Sequence, residues 1–370
     1  MKLLARYILK ELLVPLGVWV AFLFLLLFVM QFLRGTDVLL GSAITGPDFI
    51  RLLVYLGPHF LVMALPIAFL LAVLLGIGRL AEDRELTALQ ALGVSPLQFL
   101  LAPVLIALAL GGLILLLAFT AEPWGLVAVK GLVNDVIKKN VVGDVRAGVF
   151  YEDLTNLTLY AQGVDPKTRQ WRNVLIHDDR DPDAPLLVLA HEGQVNAGGV
   201  QEALRLALSN GQVHRASRTS DEYTVITFER GEIAVGAEAS VKRRNRFRTP
   251  SAELTPGELM EVAAEARREG RDDKPFLMAM HSRLGLTLAP LAFALFGTPL
   301  ALGKRQGGRA RGYLLALGGY VVFYLLTRVF ENLGQHGKMP FLLAGQLANG
   351  IYMMLGALTM WRVVRTGASR

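Results

Sequence analysis

The sequence predicts a polytopic α-helical membrane protein: six transmembrane helices, three and three, with an external all-β domain of jelly-roll type inserted between the halves. Three observations predict it. The 370-residue chain is 53% hydrophobic and 19% charged, with a mean hydropathy of +0.43, whereas soluble domains are roughly 45–50% apolar and about 25% charged. Several uncharged runs approach or exceed the about 20 residues that cross a hydrocarbon core. After the third run the pattern changes to short alternating segments for about 90 residues.

In order, the apolar runs are Leu12 to Leu33, Leu52 to Gly78 and Val94 to Ala121, then Leu284 to Gly303, Gly312 to Thr327 and Met339 to Trp361. The fifth is short, about 24 Å at 1.5 Å per residue, and is expected to continue through Arg328 to Leu333. Lys2, Arg6 and Lys10 precede the first run as in a signal peptide. That run is too long for an h-region, and no A-x-A-like site follows, so an uncleaved anchor is expected. Pro58, Pro66, Pro103 and Pro290 fall inside spans and are expected to kink helices. Residues 1–11, 79–93, 304–311 and 362–370 together hold twelve Lys and Arg, against four in 34–51 and 328–338. The excess puts both termini in the cytoplasm. The expected domains are 1–121 with spans one to three, 122–275 outside the membrane, and 276–370 with spans four to six.

In the middle domain, Asn156–Gln162, Leu186–Ala190, Ala203–Leu208 and Tyr223–Phe228 read as strands. Asp165-Pro166, residues 181–185, 197–199, Asn210-Gly211 and 217–221 read as turns. Such spacing suits a sandwich, jelly roll or open barrel. Leu157, Leu159, Val188, Leu204 and Leu206 would line a slot between sheets, or form ordinary core. Two helices frame the domain: one near Trp124 to Lys139, the other opening at Thr255-Pro-Gly-Glu258. There Thr255 is the N-cap, Pro256 is N1 and Glu258 completes a capping box, and the helix runs to about Arg268.

Little in the chain suggests catalysis. The chain has no cysteine, which excludes disulfides, thiolate metal sites and a Cys nucleophile. Gly297 to Lys304 departs from a phosphate-binding loop in spacing, and Arg305 stands where Ser or Thr is needed. The histidines form no metal-ligand pair, so no metal or resident cofactor is expected. His59, His281 and Arg283 lie near membrane surfaces, where anchoring and packing are the ordinary roles.

One constellation stands out, residues 80–93 between spans two and three. Leu86, Leu89 and Leu92 recur at helical spacing, Glu82, Asp83 and Glu85 cluster at the start, and Gly93 is a stop signal. An amphipathic helix in the lipid interface is the plain reading. With Arg79 just before it, the segment has three acids to two arginines, the wrong balance for anionic lipid, which favours a helix that docks on a cytosolic protein.

With Leu65-Pro66, Gly78-Arg79-Leu80, Arg84-Glu85-Leu86-Thr87 and Ala91-Leu92-Gly93-Val94-Ser95 in this order, the whole chain resembles the LptF/LptG family of lipopolysaccharide export permeases. Gly148-Val-Phe150, Leu157-Thr-Leu-Tyr160 and Val174–Asp178 resemble the LptF branch more than LptG. The resemblance implies an inner-membrane half-transporter that pairs with an LptG-like permease, an LptB-like cytosolic ATPase dimer that binds the ATP and Mg²⁺, and an LptC-like periplasmic jelly-roll protein. It also implies that Glu82, Arg84, Glu85, Leu86 and Leu89 meet the ATPase, with Glu85 at the position of the family's contacting Glu. Arg34 matches a base that faces the phosphorylated headgroup, and where other members carry a second base nearby this chain has Phe32 and Leu33. Arg34 would otherwise only snorkel into headgroups. Arg328, one turn from Glu331, either joins Arg34 and Phe32 on the substrate path or anchors its helix. An alternative function is an ATPase-coupled scaffold that transmits motion without moving lipid.

Overall fold

The computed structural model describes residues 2–39, 46–144, 147–154, 157–165, 168, 170–179, 185–196, 204–216, 223–235, 250–302 and 308–366. Among them, six helices are long and apolar enough to cross a membrane. The first three are α1 (Lys2–Leu39), α2 (Gly46–Glu82) and a composite third. The composite begins with a 3₁₀ turn, Pro96–Leu100, continues as α4 (Leu101–Leu116), widens into a π turn at Leu117–Ala121 and resumes as α5 (Glu122–Asp144). Between α2 and the 3₁₀ turn lies the short α3 (Glu85–Ala91). Pro58 and Pro66 lie inside α2 without ending it.

The last three spans are α7 (Lys274–Leu302), α8 (Gly308–Gln335) and α9 (Phe341–Thr366), preceded by α6 (Pro256–Arg268). The fifth span thus continues past Thr327, as its short uncharged run requires. Helix α6 starts where its capping signal lies. The Thr255 hydroxyl accepts from the Glu258 N–H, and the Glu258 carboxylate accepts from the Thr255 N–H at 2.7 Å. Four unpaired N–H groups open every helix, and this box satisfies two reciprocally.

The chain divides into two compact units, 1–28 with 56–125 and 250–370, and 29–55 with 126–249. The helical unit is centred on Phe69, Leu70, Ile77, Ile114 and Phe293, all nearly inaccessible. Glycines set its tightest helix contact: a Cβ on Gly345 of α9 would lie 2.8 Å from the His281 carbonyl oxygen of α7, and one on Gly285 or Gly356 would overlap the facing backbone. Small residues let backbones approach where lipid gives no hydrophobic push between helices. Residues 250–268 belong to this unit. Leu259, Ala263 and Ala266 form the buried face of α6, which packs on α7.

The other unit holds β1 (Phe150–Leu154), β2 (Leu157–Val164), β3 (Trp171–Asp178), β4 (Leu186–Asn196), β5 (Leu204–Ala216) and β6 (Tyr223–Val235). They form one antiparallel sheet in sequential order. The inserted β domain is therefore present, with the strand order of a meander. Asn210-Gly211, expected as a turn, lies inside β5, where Gly211 faces Phe228 and Ala190. Residues 181–184, 197–199 and 217–221 lie outside the described residues.

One irregularity crosses the sheet. Gln162, Asn173, His191, Asn210 and Glu229 fall opposite one another on β2 to β6, and at this row the regular pairing skips a residue on each strand. Asn173 and Asn210 have φ of 49° and 52°, the left-handed region that asparagine tolerates best among residues with a Cβ. The inward alternation shifts here. Trp171 and Val174 are both buried with 172 and 173 exposed between them, and Ala190 and Gly193 are buried around exposed 191 and 192. Side-chain bonds brace the row: Asn173 Nδ2 donates to Gln162 Oε1 at 2.7 Å, and His191 Nδ1 lies 3.1 Å from the Asn210 carbonyl oxygen.

Candidate functional site

The segment between spans two and three forms an elbow. Helix α2 continues to Glu82, so Leu80 and Glu82 end the span instead of opening the short helix, which is confined to Glu85–Ala91. Arg84, between them, has φ of 59°, and this left-handed step turns the chain. At the far end, the Val94 N–H bonds the Leu89 carbonyl and the Gly93 N–H bonds that of Gln90, with Gly93 at φ 88°. This double bond pattern around a left-handed glycine is a Schellman stop.

The leucines divide. Leu86 is 4% exposed and joins the helical core, Leu89 is partly buried against it, and Leu92 is 82% exposed. The expected apolar stripe therefore does not present one outward face: Leu86 serves the chain's own packing. Glu82 and Arg84 are exposed and Glu85 is half-buried. The Tyr7 hydroxyl, from the first turns of α1, donates to Glu85 Oε2 at 2.6 Å. Arg79 pairs with Glu11 at 2.8 Å and lies 3.6 Å from Asp83.

The second group of expected residues lies elsewhere. Phe32 and Arg34 belong to α1, and their side chains lie outside the described residues. Arg328 on α8 pairs with Glu331 at 2.9 Å, the expected one-turn contact, and its guanidinium sits 5.0 Å from the centre of the Tyr324 ring. Such stacking holds a cation while leaving its edge free, and Arg328 remains exposed at 59%.

A third cluster was not legible in the sequence. His59 Nδ1 of α2 lies 2.7 Å from Glu122 Oε1 at the start of α5. The π turn just before Glu122 sets the rotation of α5, and Thr120 bonds the Leu116 carbonyl at 2.6 Å within the widened turn. Arg283 of α7 is 9% exposed and donates to the carbonyls of Ser251, Ala252 and Leu254 at 2.9–3.1 Å. It fastens the chain where it returns from the β domain, the anchoring role. His281 bonds the Leu277 carbonyl one turn back on its own helix and lies beside Phe341.

In the β unit, Leu157, Leu159, Val188 and Leu206 are at most 3% exposed. They are core. Leu204's side chain lies outside the described residues. An open cavity of about 880 Å³ instead follows the irregular row, lined by Tyr160, Gln162, Asn173, His191, Gln212 and Glu229 among others. Among the described residues no group of three or more His, Cys, Asp and Glu is placed to hold a metal ion.

Six spans around an inserted antiparallel β domain define a polytopic helical membrane protein. The chain belongs to the LptF/LptG family, described as lipopolysaccharide export system permeases, whose pattern matches residues 6–362. It is 21% identical to the Escherichia coli lipopolysaccharide export system permease protein LptF, over 98% of this chain and 96% of that protein. The Shigella flexneri LptF matches equally. An uncharacterised protein of Rickettsia prowazekii is 25% identical over 60% of this chain and 64% of its own length.

Proposed function

We propose that this chain is the LptF-like half of an ATP-driven exporter in the inner membrane, which lifts lipopolysaccharide from the outer leaflet and hands it to periplasmic β domains. Family membership supports the cargo, and the elbow carries the coupling. Glu85 sits on a short helix sharply bent off the span, beside exposed Glu82 and Arg84, where a cytosolic ATPase dimer with basic residues would grip it. The chain itself binds no ATP or Mg²⁺ in this reading and works as a non-catalytic subunit; the LptB-like partner hydrolyses the fuel.

Extraction needs that fuel. Each buried methylene is worth about 0.8 kcal/mol, and a multi-acylated lipid exposes many. Six spans paired with those of an LptG-like permease supply apolar walls, while Arg34 and Phe32 on α1 and Arg328 on α8 each offer a contact to the phosphorylated headgroup. With both termini cytoplasmic, the β domain lies in the periplasm. Strand β6, at one end of the strand order and exposing Tyr223, Val225 and Ile226, offers an edge to which an LptC-like domain adds a strand.

The test is purification of the tagged chain from its native membrane in mild detergent. The expected result is co-purification of an ATPase, a second six-span permease and lipopolysaccharide. Recovery of neither ATPase nor lipopolysaccharide rejects the proposal. In reconstituted complexes, Arg34→Glu is expected to cut lipopolysaccharide release at least tenfold with hydrolysis retained; unchanged release would favour a scaffold that moves no lipid.

A further inference from the structure

The carboxylate expected to meet the ATPase is already engaged within the chain. Tyr7 of α1 donates to Glu85 Oε2 at 2.6 Å across 78 residues of sequence. One helical turn further along α1, Glu11 pairs with Arg79 at 2.8 Å, and Arg79 in turn reaches Asp83 at 3.6 Å. Tyr7 and Glu11 are four apart, so they share one helix face. Between and beyond them Ile8 and Leu12 are each 1% exposed. Leu12 presses on α2 at Gly76, where a Cβ would lie 2.8 Å from Leu12 Cδ2 and 3.1 Å from the Glu11 carbonyl oxygen. The start of the first span is thus joined to both arms of the elbow, by two polar contacts and one close backbone approach.

Farther along α1, Val14, Val18, Phe22, Leu25 and Val29 form one outward stripe, each at least 44% exposed, while Leu16 and Phe28 stay buried; the side-chain polar contacts to the elbow are at the end beside α3. From Tyr7 to Phe28 is about 30 Å of helix at 1.5 Å per residue, and a tilt of about 5° at the held end moves the other by about 3 Å.

We propose that Tyr7 and Glu11 are positioning residues that clamp the first span to the coupling elbow, so that displacement of α3 is delivered directly to α1 as a lever. This rests on the reading that α3 meets an ATPase. Tyr7 engages one oxygen of Glu85 and leaves the second to accept from a partner's cation, so the partner contact does not depend on Tyr7. The chain that moves the span and the residue that receives the push are then one unit.

The test uses the whole complex in proteoliposomes, measuring ATPase association, ATP hydrolysis and lipopolysaccharide released per ATP. Tyr7→Phe and Glu11→Gln are expected to leave association within twofold of wild type and to lower release per ATP about three- to tenfold, the scale of losing one ordinary intramolecular hydrogen bond. Exchanging the pair as Glu11→Arg with Arg79→Glu is expected to restore at least half of the release that Glu11→Arg alone loses, which separates the contact from a folding defect. Because the chain has no cysteine, Glu11→Cys with Arg79→Cys, at the other contact of the clamp, permits a flexible bis-maleimide link without background. A linked clamp is expected to keep transporting. Unchanged release per ATP in Tyr7→Phe and Glu11→Gln, or transport abolished by the link, overturns the lever. Failure of the wild-type chain to recruit any ATPase would instead reject the proposed function, so the two failures are distinct.

Discussion

Glu122 shows how much a single side chain does here. At 8% exposure it pairs with His59 at 2.7 Å and lies at the first residue after a π turn. Glu122→Gln keeps the shape and removes the charge, and is expected to cost about 2 kcal/mol, read as a lower midpoint of unfolding in detergent. The two were not legible as a pair: the residues stand 63 apart, and the π turn that precedes Glu122 and sets the direction of its side chain has no local signature in the sequence. The Thr255–Glu258 box was legible because capping is local. There the Thr255 backbone N–H and hydroxyl hold the Glu258 carboxyl below its usual range. A lowered folded value stabilises above the unfolded pKa, near 4.3, and is lost as pH falls through the folded one. Amide exchange in the first turn of α6 is therefore expected to stay constant from pH 8 to 5 after correction for intrinsic rates, to accelerate below about pH 4, and to lose that acid step in Thr255→Ala.

Among the elements, the contact of α7 with α9 depends on absent side chains. Gly345→Ala is expected to destabilise by about 1–3 kcal/mol, because the new Cβ meets a carbonyl oxygen at 2.8 Å and backbone cannot give way as a side-chain tip would. Thermal unfolding in detergent checks it. Strand identity was legible from alternation along β2, β4, β6 and the first half of β5, whereas β1 and β3 were not read as strands and the row at Asn173 and Asn210 was not legible. Asn-Gly reads locally as a hairpin turn, and only pairing on both sides holds β5 straight through it. Asn210→Val, a β-branched residue forced to φ 52°, is expected to cost more than Asn210→Gly, the difference being about 1–2 kcal/mol. The order reverses if the site is an ordinary strand position, where valine outperforms glycine.

For the whole molecule, the placement of each half rests on charge counting, and the cysteine-free sequence offers a direct check. Ala88→Cys on the elbow is expected to react with a membrane-impermeant maleimide only from the cytoplasmic side, and Glu192→Cys on β4 only from the opposite side. Reaction of both from one side would overturn the transport scheme. The spans were legible because hydropathy needs only composition over about 20 residues; the fastening of α1 to the elbow was not, because Tyr7 and Glu85 have no local relation. The irregular row in the sheet also limits how such a chain can change length. An added residue within one strand beside that row would reverse which of its side chains point inward and mismatch both neighbours at once. Lengthening of the β unit is therefore expected at the hairpin tips, where extra residues leave the inner and outer faces of every strand as they are.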